Sequence, residues 1–236
     1  FSDIKTNKKI KRLFSENFSK NHLIILGTNT LKKIDEKSKY FNSMLIVNNN
    51  LDIVAQYDKK KLVPFGEFLP FETFLNKIGM KKITPGYSSF SRGTGKSYLK
   101  LKYNDQYIKL LPLICYEIIF PHLVVNNIDN INFIINISED AWFGDSIGPY
   151  QHFSKAILRS IESRKFVIRS ANSGKSAFVD INGKVIKALE PYESGNIELK
   201  LPILESTNEK DKKYLIFYLL LISYAFTFFV LSKIKF

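Results

Sequence analysis

The only cysteine of the chain, Cys115, closes a short apolar run at residues 110–114 (LLPLI) and is followed at once by Tyr116 and Glu117. The run predicts a buried strand that ends at the thiol. A thiol at a strand end can face a pocket, and as a thiolate it is a strong nucleophile. A phenol and a carboxylate beside it are unusual company for packing residues, although a lone cysteine also serves as a small buried hydrophobe. A second chemical group lies upstream, where residues 56–70 read QYDKKKLVPFGEFLP. Pro64 and Gly66 bend the backbone just ahead of Glu67. A lysine of the run Lys59, Lys60 and Lys61, aimed into a pocket with a carboxylate nearby, can receive the charge of a developing oxyanion and favour a thiolate. The same segment also reads as a charged strand exit followed by a turn.

Other candidates carry weaker signals. Trp142, the sole tryptophan, and Phe143 precede Gly144 in a loop. Loop aromatics beside glycine line binding pockets, and they also serve as core. His152 is the only histidine near these motifs, and for want of a paired carboxylate it reads as a polar helix residue. Residues 93–97 (GTGKS) and 173–176 (SGKS) lack the first glycine of a phosphate-binding loop, Phe90 and Arg169 standing in its place, and read as turns.

The elements that must position these residues follow from periodicity. Ser2 and Asp3 are candidate caps of a helix reaching about Ser19, with Ile10, Leu13, Phe14 and Phe18 on its buried face. Residues 22–27 predict a buried strand, and residues 42–48 and 51–57 a strand pair turned at Asn48, Asn49 and Asn50. Residues 80–101 are loop-like. Strands at 97–103 and 107–111 turn at Asn104 and Asp105 and lead into the cysteine. Residues 132–137 predict another buried strand and residues 149–164 a helix. Strands follow at 166–170, 176–181 and 184–189, the last two joined at Asn182 and Gly183. Helices alternating with apolar strands argue for a layered α/β domain.

With 236 residues, 45% of them hydrophobic, the chain suffices for one large domain or a domain with an appendage. The formal charge of +13 raises nucleic acid or anionic lipid as partners. The lysines are scattered and form no stripe interleaved with aromatics, which disfavours a nucleic-acid groove. One cysteine excludes an intrachain disulfide and a cysteine-based zinc cluster, and no cofactor or metal is expected. At the C-terminal end, residues 214–231 (YLIFYLLLISYAFTFFVL) run for 18 positions without a charge. As a helix they span about 27 Å, close to the ~30 Å hydrocarbon core, which predicts a transmembrane helix. A buried core helix is the competing assignment, disfavoured by the lack of a polar period and by Lys233 and Lys235 at its end. Lysines flank both ends, so local charge does not set the orientation. The expected organisation is a domain over 1–204, a linker over 205–213 and a membrane helix over 214–231.

Taken together, YDKKKLVPFGEFLP, LICYE, EDAWFGDSIGPYQH, RS-x-ES-R and SANSG resemble, in content and order, the bacterial apolipoprotein N-acyltransferase family over residues 22–202. The resemblance implies a nitrilase-like (carbon-nitrogen hydrolase) αββα sandwich, held on the periplasmic side of the inner membrane in a multi-pass protein. It implies that Cys115 takes an acyl chain as a thioester, that Lys59 is the catalytic lysine and Glu67 an essential glutamate, and that Tyr116 and Glu117 are the functional pair after the nucleophile. It points to Trp142 and Phe143 as substrate-binding residues. The implied partners are a phospholipid acyl donor, a lipoprotein whose diacylglyceryl-cysteine amine accepts the chain, and the membrane. Two departures stand out: the family's general-base glutamate and its other membrane helices lie ahead of Phe1, and Lys61 stands where the family usually has His. A small-amide hydrolase and a tethered binding module with a structural thiol are the alternatives.

Overall fold

The computed structural model describes residues 6–71, 74, 79, 89–103, 105–203 and 213–233. The chain divides into two units, one ending at Ser206 and the other beginning at Thr207.

The first unit opens with helix α1, Lys8–Asn17. Its cap is Asn7, whose side-chain oxygen accepts from the N–H groups of Lys9 and Ile10 at 3.0 and 3.3 Å. The expected caps Ser2 and Asp3 lie outside the described residues. Ile10 and Phe14 pack against Leu45, Val47 and Leu51, whereas Leu13, expected on the same face, is exposed. The contact stripe is one residue wide, so a side chain at its flank reaches solvent.

Strands β1, Ile24–Ile34, and β2, Lys37–Val47, form an antiparallel hairpin in register from Ile24 opposite Val47 to Ile34 opposite Lys37. Asp35 and Glu36 both take left-handed backbone at the turn, with φ of 51° and 60°. The hairpin is much longer than the two apolar runs predict. Its outer half is polar on one face and its turn is Asp-Glu rather than Asn-Gly, so neither signal marks it. Strand β3, Ile53–Asp58, completes a three-stranded sheet in the order β1-β2-β3.

The second sheet has six strands in chain order: β4 (Leu99–Tyr103), β5 (Gln106–Ile114), β6 (Phe133–Glu139), β7 (Phe166–Asn172), β8 (Ser176–Val179) and β9 (Val185–Leu189). The central pairs β5-β6 and β6-β7 are parallel and the outer pairs antiparallel. Strands covered on both faces read as unbroken apolar runs, which is why the ends of β5 and β6 are legible in the sequence. The β4 ladder stops at Leu110, so Pro112 sits where its missing N–H costs no β4 bond. Helices α2, Pro121–Val125, and α3, Gly148–Ser163, make the parallel crossovers.

Alternation along the strands builds the layers. In β2, Met44 and Ile46 face the other sheet, while Leu45 and Val47 face α1. In β5, Leu110 and Ile114 meet Met44, Ile46 and Tyr57 across the sandwich, while Leu111 and Leu113 pack under Phe153 and Ala156 of α3. The result is the αββα order of helix, sheet, sheet, helix.

The second unit contains helix α4, Lys213–Lys233. Its 18-residue segment Ile216–Lys233 has a mean hydropathy of 1.8, and it is long and apolar enough to cross a membrane. All of the expected linker except Lys213 lies outside the described residues.

Candidate active site

Cys115 follows the last residue of β5 and opens a 3-10 turn, Cys115–Ile119. Its φ of 48° is left-handed, a conformation that costs a residue with a side chain roughly 1–2 kcal/mol and therefore must be held by its surroundings. The residue is partly exposed. Two residues on, the fully buried Glu117 curls back on the chain. One of its oxygens accepts from the N–H of Ile114 at 2.9 Å. The other accepts from the N–H groups of Lys60 and Lys61 at 2.7 and 3.0 Å and from the Tyr57 hydroxyl at 2.9 Å. Burial pushes the Glu117 carboxyl above its usual range, opposed by these four donors, each of which presents a proton to the ionised form. Burial, aided by the charge of Glu117, pushes the Tyr57 hydroxyl well above its ordinary value, so it stays a donor. Glu117 thus binds backbone. It braces the turn, with both of its oxygens bonded to the protein itself.

The same carboxylate holds the backbone just after Lys59. The Lys59 side chain is 1% exposed, and its ammonium lies 2.9 Å from each Glu67 oxygen. Glu67 is in turn fixed by the Asn42 amide at 2.7 Å and the Val63 N–H at 2.8 Å. The Lys59 carbonyl accepts from the Gly93 N–H at 2.9 Å. A Cβ at Gly93 would lie 2.1 Å from the Asp58 carbonyl oxygen, so only glycine fits there. Three successive lysines have three destinations. Lys60 donates to the Gly95 carbonyl and the Ser97 hydroxyl, and Lys61 sits over the Phe120 ring. Lys59 alone is buried against a carboxylate, which separates it from an ordinary charged strand exit.

Tyr116 packs edge-on against Phe120 with ring centroids 5.0 Å apart. Trp142 and Phe143 lie on a short turn, Ala141–Phe143, after β6. Trp142 is 65% exposed and Phe143 40%, in company with exposed Ile147 and Tyr150. The Phe143 ring lies 5.5 Å from the His152 ring.

His152 corrects its sequence reading. It is buried, and its missing carboxylate is Asp140, whose Oδ1 lies 3.0 Å from Nδ1. The other ring nitrogen, Nε2, lies 3.2 Å from the Cys115 carbonyl oxygen. Asp140 also accepts from Ser138 at 2.6 Å and from Arg169 Nη2 at 2.6 Å. Arg169 donates further to Asn136 Oδ1 and the Lys175 carbonyl. Burial pushes the Asp140 carboxyl up, but the His152 hydrogen bond and the Arg169 charge outweigh it and leave Asp140 below the usual carboxylate range. The SGKS turn serves this network: a Cβ at Gly174 would lie 2.2 Å from Asp140 Oδ2.

Among the described residues no group of three His, Cys, Asp or Glu is arranged to hold a metal. A cavity of about 510 Å³ opens beside β3 and β4, walled by Lys32, Lys60, Lys96 and Tyr98 among others, and Cys115 and Lys59 do not line it.

Comparison with known proteins bears on family and fold. The family described as carbon-nitrogen hydrolase matches residues 4–203. The apolipoprotein N-acyltransferase of Allorhizobium ampelinum is 38% identical over 195 residues, covering 80% of this chain and 36% of that protein. The protein of the same name from Rickettsia prowazekii is 38% identical over 194 residues, covering 82% and 38%. The chain therefore spans about a third of the length of the curated relatives it matches. Among solved structures, a carbon-nitrogen hydrolase from Helicobacter pylori superposes with a TM-score of 0.55 at 13% identity, covering 79% of this chain and 65% of that one. A variant of an amidase from Nesterenkonia sp., with an acetamide moiety added covalently at its active-site cysteine, gives 0.51 at 15% identity, covering 80% and 68%. These likenesses show a shared fold. Because the family match takes in both sheets together with the turns that carry Lys59 and Cys115, the chain belongs to the carbon-nitrogen hydrolase family.

Proposed function

We propose that this chain carries the acyl-transfer domain of a membrane-bound apolipoprotein N-acyltransferase. The observation that carries this reading is the shared brace: one Glu117 carboxylate holds the backbone beside a buried, carboxylate-paired Lys59 and the backbone beside a strained Cys115. The relatives named for this activity, and an apolar helix suited to a bilayer, support it.

In the first half-reaction the Cys115 thiolate attacks the ester carbonyl of a phospholipid. The tetrahedral oxyanion is received by the Lys59 ammonium and by the N–H of Tyr116. Glu67 pairs with that ammonium and aims it. Collapse breaks the ester C–O bond, the lysophospholipid leaves with a proton, and the acyl chain remains as a thioester. In the second half-reaction the N-terminal amine of a diacylglyceryl-cysteine lipoprotein attacks the thioester, an amide forms, and the thiol is restored, a ping-pong sequence. Proton removal is assigned to a general-base carboxylate, as the family resemblance implies. Trp142 and Phe143 flank the acyl chain. Residues 1–204 form the catalytic domain, 205–213 the linker and 214–231 the anchor, with the domain on the periplasmic side of the inner membrane.

The test is acyl labelling. Full-length protein incubated with phospholipid labelled in its acyl chain should acquire a hydroxylamine-sensitive label on Cys115. No label, or a label that survives Cys115→Ala, refutes the assignment.

A further inference from the structure

Beneath the strained turn lies a polar assembly that the reaction above leaves unused. It is drawn from three elements: Asn136, Ser138 and Asp140 from β6 and its exit, His152 from α3, and Arg169 from β7. Asn136, Asp140 and Arg169 are at most 2% exposed and His152 is 6% exposed. Burying charges costs desolvation that pairing often fails to recover, so stability alone is a weak reason for such a network. The network converges on one atom of the nucleophile's backbone, the Cys115 carbonyl oxygen, 3.2 Å from His152 Nε2.

A carbonyl oxygen only accepts, so Nε2 carries the proton. Nδ1 lies 3.0 Å from Asp140 Oδ1 and 3.2 Å from Arg169 Nη2, so those two residues seat the ring from its other side. That seat aims Nε2–H at Cys115. In a planar trans peptide the C=O and N–H point in opposite directions. A grip on the Cys115 carbonyl therefore turns the Tyr116 N–H away from His152. At the start of a helical turn that N–H has no intrahelical acceptor. The preceding peptide is held from the other side, where Glu117 accepts from Ile114. Without both grips, a residue at φ 48° relaxes toward commoner backbone and takes the N–H with it.

We infer that His152, seated by Asp140 and Arg169, is a positioning residue for chemistry at Cys115: it sets the Cys115–Tyr116 peptide so that the Tyr116 N–H meets the oxyanion. The inference rests on Cys115 being acylated, and not on which acyl donor is used.

The test compares two rates at Cys115 in the full-length protein: acylation by a p-nitrophenyl ester, which passes through an oxyanion, and alkylation by iodoacetamide, which does not. His152→Ala should slow acylation about 100-fold, the scale of losing one oxyanion donor, and change alkylation by less than about 3-fold. His152→Gln, whose amide nitrogen falls near the place of Nε2, should restore acylation to within about 10-fold of wild type. Equal loss of both rates in His152→Ala, no loss of acylation, or a Gln variant no faster than Ala overturns the inference. If His152→Ala does not fold, Asp140→Asn should slow acylation about tenfold with alkylation spared, and a spared acylation there counts against it equally. Wild type that reacts with the ester but not with phospholipid removes the phospholipid assignment and leaves this comparison decisive. A wild-type Cys115 acylated by neither overturns both.

Discussion

The Glu117 carboxylate accepts the backbone N–H of Lys60 at 2.7 Å, across 57 positions of sequence. With Ile114, Lys61 and Tyr57 also donating to it, removal of this one side chain leaves four protons facing an apolar space. Glu117→Gln keeps the volume but puts an NH₂ donor against N–H donors. It should destabilise the domain by about 2–4 kcal/mol at neutral pH, measured by denaturant unfolding. A loss under about 0.5 kcal/mol would mean that the brace carries no strain.

Lys59 has no room to be replaced by a larger cation. Lys59→Met preserves length and removes the charge, while Lys59→Arg must fit a planar fork into a site 1% exposed. Both should lower Cys115 acylation at least 100-fold, with far-ultraviolet circular dichroism unchanged for Met. Arg activity near wild type would show that the pocket is looser than its burial indicates.

Asp140 gives the network a defined acid limit. Its folded-state pKa is depressed, so the stability it contributes is fully present above the unfolded carboxylate value of about 3.9 and is lost as pH falls through the lower folded value. The stability gap between wild type and Asp140→Asn should hold steady from about pH 5 to 8 and close below about pH 4. A gap that widens with acid would contradict the sign.

Trp142 stands mostly in solvent at the edge of the turn that carries Phe143 toward His152. Covering one aromatic ring with an acyl chain is worth roughly tenfold in transfer rate. Trp142→Ala should therefore slow transfer from long-chain phospholipid by about that factor and leave a short activated ester unaffected. Equal slowing of both donors would assign Trp142 to folding instead.

Particular residues show how far the sequence could be read. The strand ending at Cys115, the buried strand after it and the helix at 149–164 were all legible, because each has a period and a terminus of its own. Cys115 and Glu67 draw notice as chemical candidates from residue type and setting alone. Among Lys59, Lys60 and Lys61, periodicity selects none; only the family resemblance singles out Lys59. The Glu117 brace was invisible because its partners are mostly backbone N–H groups, which every residue but proline possesses. Asp140 and His152 lie 12 positions apart across a loop, a spacing that signals contact in neither helix nor strand. The outer half of the β1-β2 hairpin lacked both an apolar run and a glycine turn.

The brace also ties the backbone at Cys115 to the docking of the two sheets. Tyr57, Lys60 and Lys61 come from one sheet and its exit and Ile114 ends a strand of the other, so three of the four contacts exist only once both layers have docked. A nascent or half-assembled chain carries an ordinary thiol on a relaxed backbone. Under the proposed function, thioester formation at Cys115 therefore waits until the last long-range contacts close and the sandwich is assembled.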